Sequence, residues 1–162
     1  MRKLLLLAAL ASAAVVAVSL VVSTPARAIS FGPSATGAGT LGQFGDPTVR
    51  VTAVATAAGL QGGFTVTYPD RTKFVATDTC LFVNGTTAYV TGRIILASGP
   101  RIKPASLTRG NYVIIGVADN GGAGPDLLNF SSGFTANPGC GPNFAATPVF
   151  PIVRGRFLVN GH

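Results

Sequence analysis

Alternating apolar and polar residues, in runs separated by turn signals, restrict the fold of this chain more than any other feature. Between Val49 and Ala55 the odd positions are apolar, while Arg50 and Thr52 occupy even positions; this is the period-two pattern of a half-buried strand. The clearest turn is Asn84-Gly85, which lies between two such runs and suits a type I′ hairpin because both residues accept φ > 0. We count about eight short strands, which predict an all-β fold: a single antiparallel barrel or sandwich.

The composition excludes the main competing classes. Of the 162 residues, 48% are hydrophobic and 10% are charged, and Glu and Trp are absent. A helical bundle needs Glu, Lys and Gln for its surfaces, and disordered chains combine low hydrophobicity with high net charge. Collagen is excluded because the 21 glycines show no three-residue period.

The first 28 residues predict a signal peptide rather than part of the fold. Arg2 and Lys3 precede the apolar run Leu4–Val22, and Ala26-Arg27-Ala28 supplies small residues for cleavage after Ala28. We expect the leader to form a helix within about residues 3 to 22. An uncleaved membrane anchor is the alternative, because about 19 apolar residues nearly span a bilayer.

Cleavage after Ala28 predicts a secreted protein of residues 29–162 with no stable membrane anchor. Residues 29–46 are rich in Gly, Ser and Thr, and we expect an N-terminal arm and the first strand there. Residues 47–162 form the remaining β-domain, and at this size the mature chain is one domain.

Two cysteines, Cys80 and Cys140, remain in the mature chain. An even count in an exported protein predicts a disulfide, with Cα atoms within about 7 Å of each other. The alternative is two free thiols. Because Cys80 shares its strand parity with Phe74 and Phe82, we expect its sulfur to point into the core. A zinc site is not expected, since the single histidine is the last residue, His162; we expect no metal and no cofactor.

The charge is +7 for the whole chain but only +4 without the leader, from nine cations against five aspartates. The nine cations form no block in the sequence, so we expect no nucleic-acid binding. The most basic stretch is the loop Ser98–Thr108, which contains Arg101 and Lys103 and is followed by Arg109. Contact of this loop with an anionic cell-envelope polymer is one interpretation, and ordinary solvated loop cations are the other.

Catalytic residues are scarce. A Ser-His-Asp system needs an imidazole beside the nucleophile, and His162 stands at the chain end. A glycosidase needs two carboxylates, for which Asp119 and Asp126 are the only plausible pair. The sequence therefore predicts a protein that is not an enzyme and has no catalytic residues.

Asp119, Asn120 and Asp126 belong to a glycine-rich loop that has two interpretations. Their oxygens suit a cation or ligand loop. The same residues also form ordinary turns, in which Asp and Asn bond their own backbone and glycines supply φ > 0. A further acid, Asp78, falls on the inward parity of its strand, and we expect a bulge near Asp78-Thr79 to turn it outward.

Three motifs carry a resemblance to a known group: the run Cys80–Gly92, then Gly116–Gly121, then Gly124-Pro-Asp126. Over about residues 36–160 the chain resembles small secreted all-β domain proteins of high-GC Gram-positive bacteria, most of them uncharacterised. The resemblance implies export and an all-β fold, and no activity. We therefore predict a secreted, non-enzymatic β-domain with a structural or surface-interaction role. The alternative is a calycin-like barrel that binds a small apolar ligand.

Overall fold

Eight antiparallel strands form a closed barrel in which each strand pairs with the next and the last pairs with the first. The computed structural model describes residues 32–102, 107–142 and 144–161. Its strands are β1 (Ser34–Leu41), β2 (Thr48–Thr56), β3 (Gly59–Thr67), β4 (Lys73–Asn84), β5 (Thr87–Ser98), β6 (Tyr112–Ala118), β7 (Leu127–Phe134) and β8 (Phe150–Asn160), with a 3-10 turn at Phe144–Ala146. The all-β prediction is confirmed as a barrel. The leader helix and cleavage site lie outside the described residues.

The predicted hairpin forms where Asn84-Gly85 stands in the sequence. Strands β4 and β5 pair up to Asn84 and Thr87, and Gly85 takes a φ of 58°. This left-handed conformation is the one that a tight hairpin turn requires and that glycine adopts without steric cost.

Large side chains fill the inside of the barrel. Phe64, Phe74 and Phe157 are at most 2% exposed, and aliphatic residues from every strand pack with them. Gly92 makes room for this packing, because a Cβ there would lie 2.6 Å from the Phe64 ring. The alternation read from the sequence thus places its apolar residues on the inner face, where burial stabilises the fold.

A bulge in β4 overturns two expectations. Asp78 pairs with Gly92, but Cys80 pairs with Thr91, so the pairing register shifts by one residue between them. Asp78 lies before the shift and keeps its inward direction, at 8% exposure. The extra residue changes the parity instead for Cys80, which turns to the outer face, while Leu81 packs against the interior.

The connection between β7 and β8 lies across the outside of the barrel in its described parts, residues 135–142 and 144–149. The Cys80–Cys140 disulfide ties it to β4, with Cα atoms 5.5 Å apart, which confirms the predicted bridge. Thr91 donates its hydroxyl to the Gly139 carbonyl at 2.8 Å. Ala146 is fully buried and packs in one apolar cluster with Tyr89 and Ile114. We call the outer surface of β4, β5 and β6 under this connection the covered face; its residues are Cys80, Phe82, Tyr89, Thr91, Ile114 and Gly116.

The covered face explains why β6 is apolar on both sides. Val113, Ile115 and Val117 line the interior, whereas Ile114 lies under the connection. Gly116 is also required there, because a Cβ would collide with the Ala146 carbonyl. The sequence pattern indicated a strand buried on both faces, and the cover is this connection rather than a second layer of sheet.

Candidate functional site

Closure of the barrel brings three arginines together on the outer surface of β8, β1 and β2. Arg156 of β8 pairs with Ala38 of β1, and Ala38 pairs on its other side with Arg50 of β2. Since neighbouring strands lie about 4.8 Å apart, the Cα atoms of Arg50 and Arg156 are about 10 Å apart across β1. Only the methyl group of Ala38 stands between them.

The adjacent row on the same strands adds the third arginine. Arg154 pairs with Thr40, and Thr40 pairs with Thr48; their two hydroxyl oxygens are 3.1 Å apart. We call this surface, composed of Ala38, Thr40, Thr48, Arg50, Arg154 and Arg156, the basic face. Its guanidinium groups donate hydrogen bonds, and its hydroxyl groups can both donate and accept them, which suits an anionic ligand.

The three guanidinium groups of the basic face make no ion pair or hydrogen bond with other described residues. Within residues 32–102, 107–142 and 144–161 the ion pair of the structure is Arg101 with Asp70, at 2.5 Å. Arg50, Arg154 and Arg156 are all exposed. Their charge is therefore available to a partner in solution.

Four of the five aspartates are buried or make local contacts. Asp70 pairs with Arg101 and also accepts the Thr72 N–H at 2.9 Å; these bonds hold its pKa below the usual value, the Thr72 N–H contributing most. Asp78 is buried, and Asp119 and Asp126 accept backbone hydrogen bonds. These four acids therefore have local structural roles, and none of them is a cross-strand partner of an arginine of the basic face.

Asp119, Asn120 and Asp126 come together as the sequence predicted, but their polar atoms face the protein. Asp126 is 6% exposed and accepts the N–H of Phe157 at 2.7 Å and that of Asn120 at 3.0 Å. Asp119 accepts the N–H of Gly121 at 2.8 Å and that of Val159 at 3.4 Å. The loop thus caps the edge of β8, and a cation site there stays a prediction that these bonds do not favour.

Asp78 is a buried aspartate whose side chain is not hydrogen-bonded to any described residue. Neither carboxylate oxygen has a hydrogen-bond partner in the structure, and the nearby Gly62 contributes no side chain. Burial raises the pKa of this carboxyl group to about 7, because a low-dielectric surrounding disfavours its charged form. The group points inward with no second acid described beside it, so it is not part of a carboxylate pair.

Arg101 makes structural contacts, while its side chain stays 46% exposed. Besides its bond to Asp70, its guanidinium carbon lies 4.8 Å from the centre of the Tyr68 ring, and its backbone N–H donates to the Thr72 hydroxyl at 3.1 Å. Arg101 thereby joins the β3–β4 turn to the β5–β6 loop. Lys103 lies outside the described residues, and Arg109 is exposed in the same loop.

The sequence analysis did not identify the basic face. It counted the nine cations of the mature chain as dispersed along the sequence. The sequence did contain a clue. Arg50, Arg154 and Arg156 occupy outward-facing positions of their strands, and these strands become neighbours when the barrel closes. Among the described residues, no group of three His, Cys, Asp or Glu side chains has a metal-binding arrangement.

In the part of the chain that the structure describes, no helix is long and apolar enough to cross a membrane. Comparisons with protein-family models, with curated proteins and with solved structures find no match to this chain. The resemblance to small secreted β-domain proteins therefore stays a prediction, and function must be argued from the geometry alone.

Proposed function

We propose that this protein is a secreted, non-enzymatic binding domain that holds an anionic cell-envelope polymer on its basic face. The observation that carries the proposal is the meeting of Arg50, Arg154 and Arg156 on three adjacent strands, with no acid among their cross-strand partners. Guanidinium groups form bidentate bonds to phosphate or carboxylate groups, which repeat along such polymers. The disulfide supports export, because such bonds persist in oxidising compartments.

The shape of the basic face also favours a long ligand over a small one. The arginines lie on the convex outside of the barrel, and between them stand short side chains, Ala38, Thr40 and Thr48. A chain lying over β1 therefore meets no bulky residue. Repeated weak contacts along one chain give useful affinity even where each exposed ion pair contributes little.

A barrel that encloses a small apolar ligand shares the eight-stranded architecture but has less support. Phe64, Phe74 and Phe157 occupy the interior with almost no exposed surface. A ligand cavity of that kind requires an interior left open by smaller side chains. We therefore place the interaction on the outer surface and treat the interior as the stabilising core.

The test is the affinity of the purified protein for a polyol-phosphate chain, measured by calorimetry at two or more salt concentrations. We expect Arg50→Gln/Arg154→Gln/Arg156→Gln to weaken binding by about 100-fold, from about 1 kcal/mol for each cation near an anionic surface. Binding should also weaken as salt increases, and less steeply for the triple variant.

Arg109→Gln is the matched control, because it removes an exposed arginine from the β5–β6 loop. It should leave the affinity nearly unchanged. Equal loss in Arg109→Gln would favour the loop named in the sequence analysis, and no measurable binding by the unaltered protein would overturn the proposal. Tighter binding to single-stranded nucleic acid than to the polyol-phosphate chain would reassign the basic face to that class of partner.

A further inference from the structure

The shortest strand pairing in the barrel is the one between β7 and β8. Strand β8 pairs with β1 along almost its full length, but with β7 only through Leu127–Pro151 and Leu128–Phe150. Beyond these pairs the loop 119–126 runs beside β8 in place of a strand. A cleft of 260 Å³ opens there, lined by Gly122, Gly124, Pro125 and Asp126 on one side and by residues 152–156 on the other.

The protein itself uses this edge of β8 to bind carboxylates. The N–H of Phe157 donates to Asp126 at 2.7 Å, and the N–H of Val159 donates to Asp119 at 3.4 Å. Gly155, two residues before Phe157 on the same strand, lines the cleft.

Gly155 stands between two arginines that also line the cleft, Arg154 and Arg156. Its φ is 99°, and a Cβ there would collide with the Ala38 carbonyl, so the backbone is brought close to β1 at a point that excludes a side chain. On the loop side, Gly122 and Gly124 have no side chain and Pro125 has no N–H. The cleft is therefore lined by Gly155 between two arginines on the β8 side and by small or cyclic residues on most of the loop side.

The one acid in the cleft is already bonded. Both oxygens of Asp126 accept backbone N–H groups, from Asn120 and Phe157. Two guanidinium groups against one satisfied carboxylate leave the cleft with a net positive charge. An incoming oxyanion thus meets donors rather than unpaired acceptors.

We propose that this cleft binds one phosphate group, with the Gly155 N–H and the side chains of Arg154 and Arg156 as donors. The inference rests on the proposed function, since it names the place where the phosphate of a bound chain is held most specifically. A phosphate suits this set because guanidinium groups and backbone N–H groups are the donors with which proteins hold phosphate oxygens. Arg50, on the far side of β1, then contacts a neighbouring phosphate of the same chain.

The test follows the Gly155 amide by ¹⁵N NMR while inorganic phosphate is added to the purified protein at constant ionic strength. We expect saturable movement of the Gly155 signal with phosphate and little movement with the same concentration of acetate or chloride. Arg154→Gln should weaken phosphate binding roughly tenfold, as expected for loss of one charge-assisted contact. Arg109→Gln, in the β5–β6 loop, should leave it unchanged.

The two proposals fail separately. If the polyol-phosphate chain binds but phosphate does not move Gly155, the cleft proposal is overturned and the basic face stands. If phosphate moves Gly155 but the chain does not bind, the polymer function is overturned and the cleft stands. A Gly155 response that is equal for phosphate and chloride, or unaffected by Arg154→Gln, also overturns the cleft proposal.

Discussion

The covered face and the basic face are two outer surfaces of one barrel, and they differ in what lies over them. On β4, β5 and β6 the outward residues include Tyr89 and Ile114, and the connection of residues 135–149 packs on them through Ala146. On β8, β1 and β2 the outward residues include arginines and threonines that are exposed or partly exposed, such as Arg50, Thr40 and Arg154.

The difference teaches which surface stabilises the fold and which is available for binding. An apolar outer surface needs a cover, and the chain supplies one and fixes it with its only disulfide. A surface of Thr and Arg needs no cover, since β-branched Thr suits an exposed strand and Arg is solvated. Changes on the covered face should therefore affect stability, and changes on the basic face should affect binding.

Loss of the disulfide should have the largest effect. Cys80→Ala/Cys140→Ala removes a link that spans 60 residues, and the chain-entropy relation gives about 4 kcal/mol of lost stability. Urea unfolding measures this loss, and the unaltered protein in reducing agent should match the double variant. A loss under about 1 kcal/mol would mean that the connection stays in place without its covalent tie.

The stability of the barrel should depend on pH through Asp78, which is buried in the interior. Its pKa is raised from 3.8 to about 7 in the folded protein, so the folded state binds the proton more tightly than the unfolded state. The stabilisation of the fold by protonated Asp78 is complete below about pH 4 and is lost as the pH rises to about 7. The free energy of unfolding should fall by about 2–4 kcal/mol over this range. Unfolding free energies across this range measure it.

Asp78→Asn isolates this contribution, because the amide has a similar shape and does not ionise. The variant should lose most of the decline in stability between pH 4 and pH 7. Asp46→Asn, at an exposed position, is the control and should retain the decline. The same decline in Asp78→Asn as in the unaltered protein would assign the pH dependence to another group.

Loss of the Asp126 carboxylate should lower the stability of the barrel, because this group holds the loop against the edge of β8 beside the basic face. Asp126→Asn leaves one carbonyl oxygen where two carboxylate oxygens accept N–H groups of Asn120 and Phe157. We expect a loss of about 1.5–3 kcal/mol, typical of hydrogen bonds to a charged group. Denaturant unfolding compares it with Asp46→Asn. Equal stability of the two variants would show that the loop does not hold the edge of β8.

The smallest effect on stability should come from the basic face itself. Arg50→Gln, Arg154→Gln and Arg156→Gln each remove an exposed side chain without a described partner, so each should change the unfolding free energy by no more than about 0.5 kcal/mol. Thermal unfolding measures this. A loss above about 2 kcal/mol for any one of them would give that arginine a structural role and weaken the contrast between the faces.

Much of the fold could be predicted from local patterns. The alternation from Val49 onward and the Asn84-Gly85 turn specify strands and a hairpin because both depend on neighbouring residues. The Cys80–Cys140 bridge followed from the cysteine count alone. The direction of Asp78 and Cys80 could not be predicted, because the bulge that separates them moves the change of parity by one or two residues.

The candidate site could not be predicted for a different reason. Arg50 and Arg156 are 106 positions apart in the sequence, and only closure of the barrel through β1 makes them neighbours. The structural use of Arg101 likewise depends on the β3–β4 turn, which lies about 30 residues earlier. Charge counted along the chain therefore showed dispersal where the fold creates a cluster.

The most direct test of the account is a map of backbone amide shifts across the whole barrel as a polyol-phosphate chain is added to the purified protein. We predict that the shifts concentrate on residues 36–40, 48–52 and 152–158 and that the covered face, at residues 80–92 and 112–118, stays unchanged. Shifts concentrated on the covered face or on the β5–β6 loop, with none along β1 and β8, would contradict the central claim that the uncovered basic face is the binding surface.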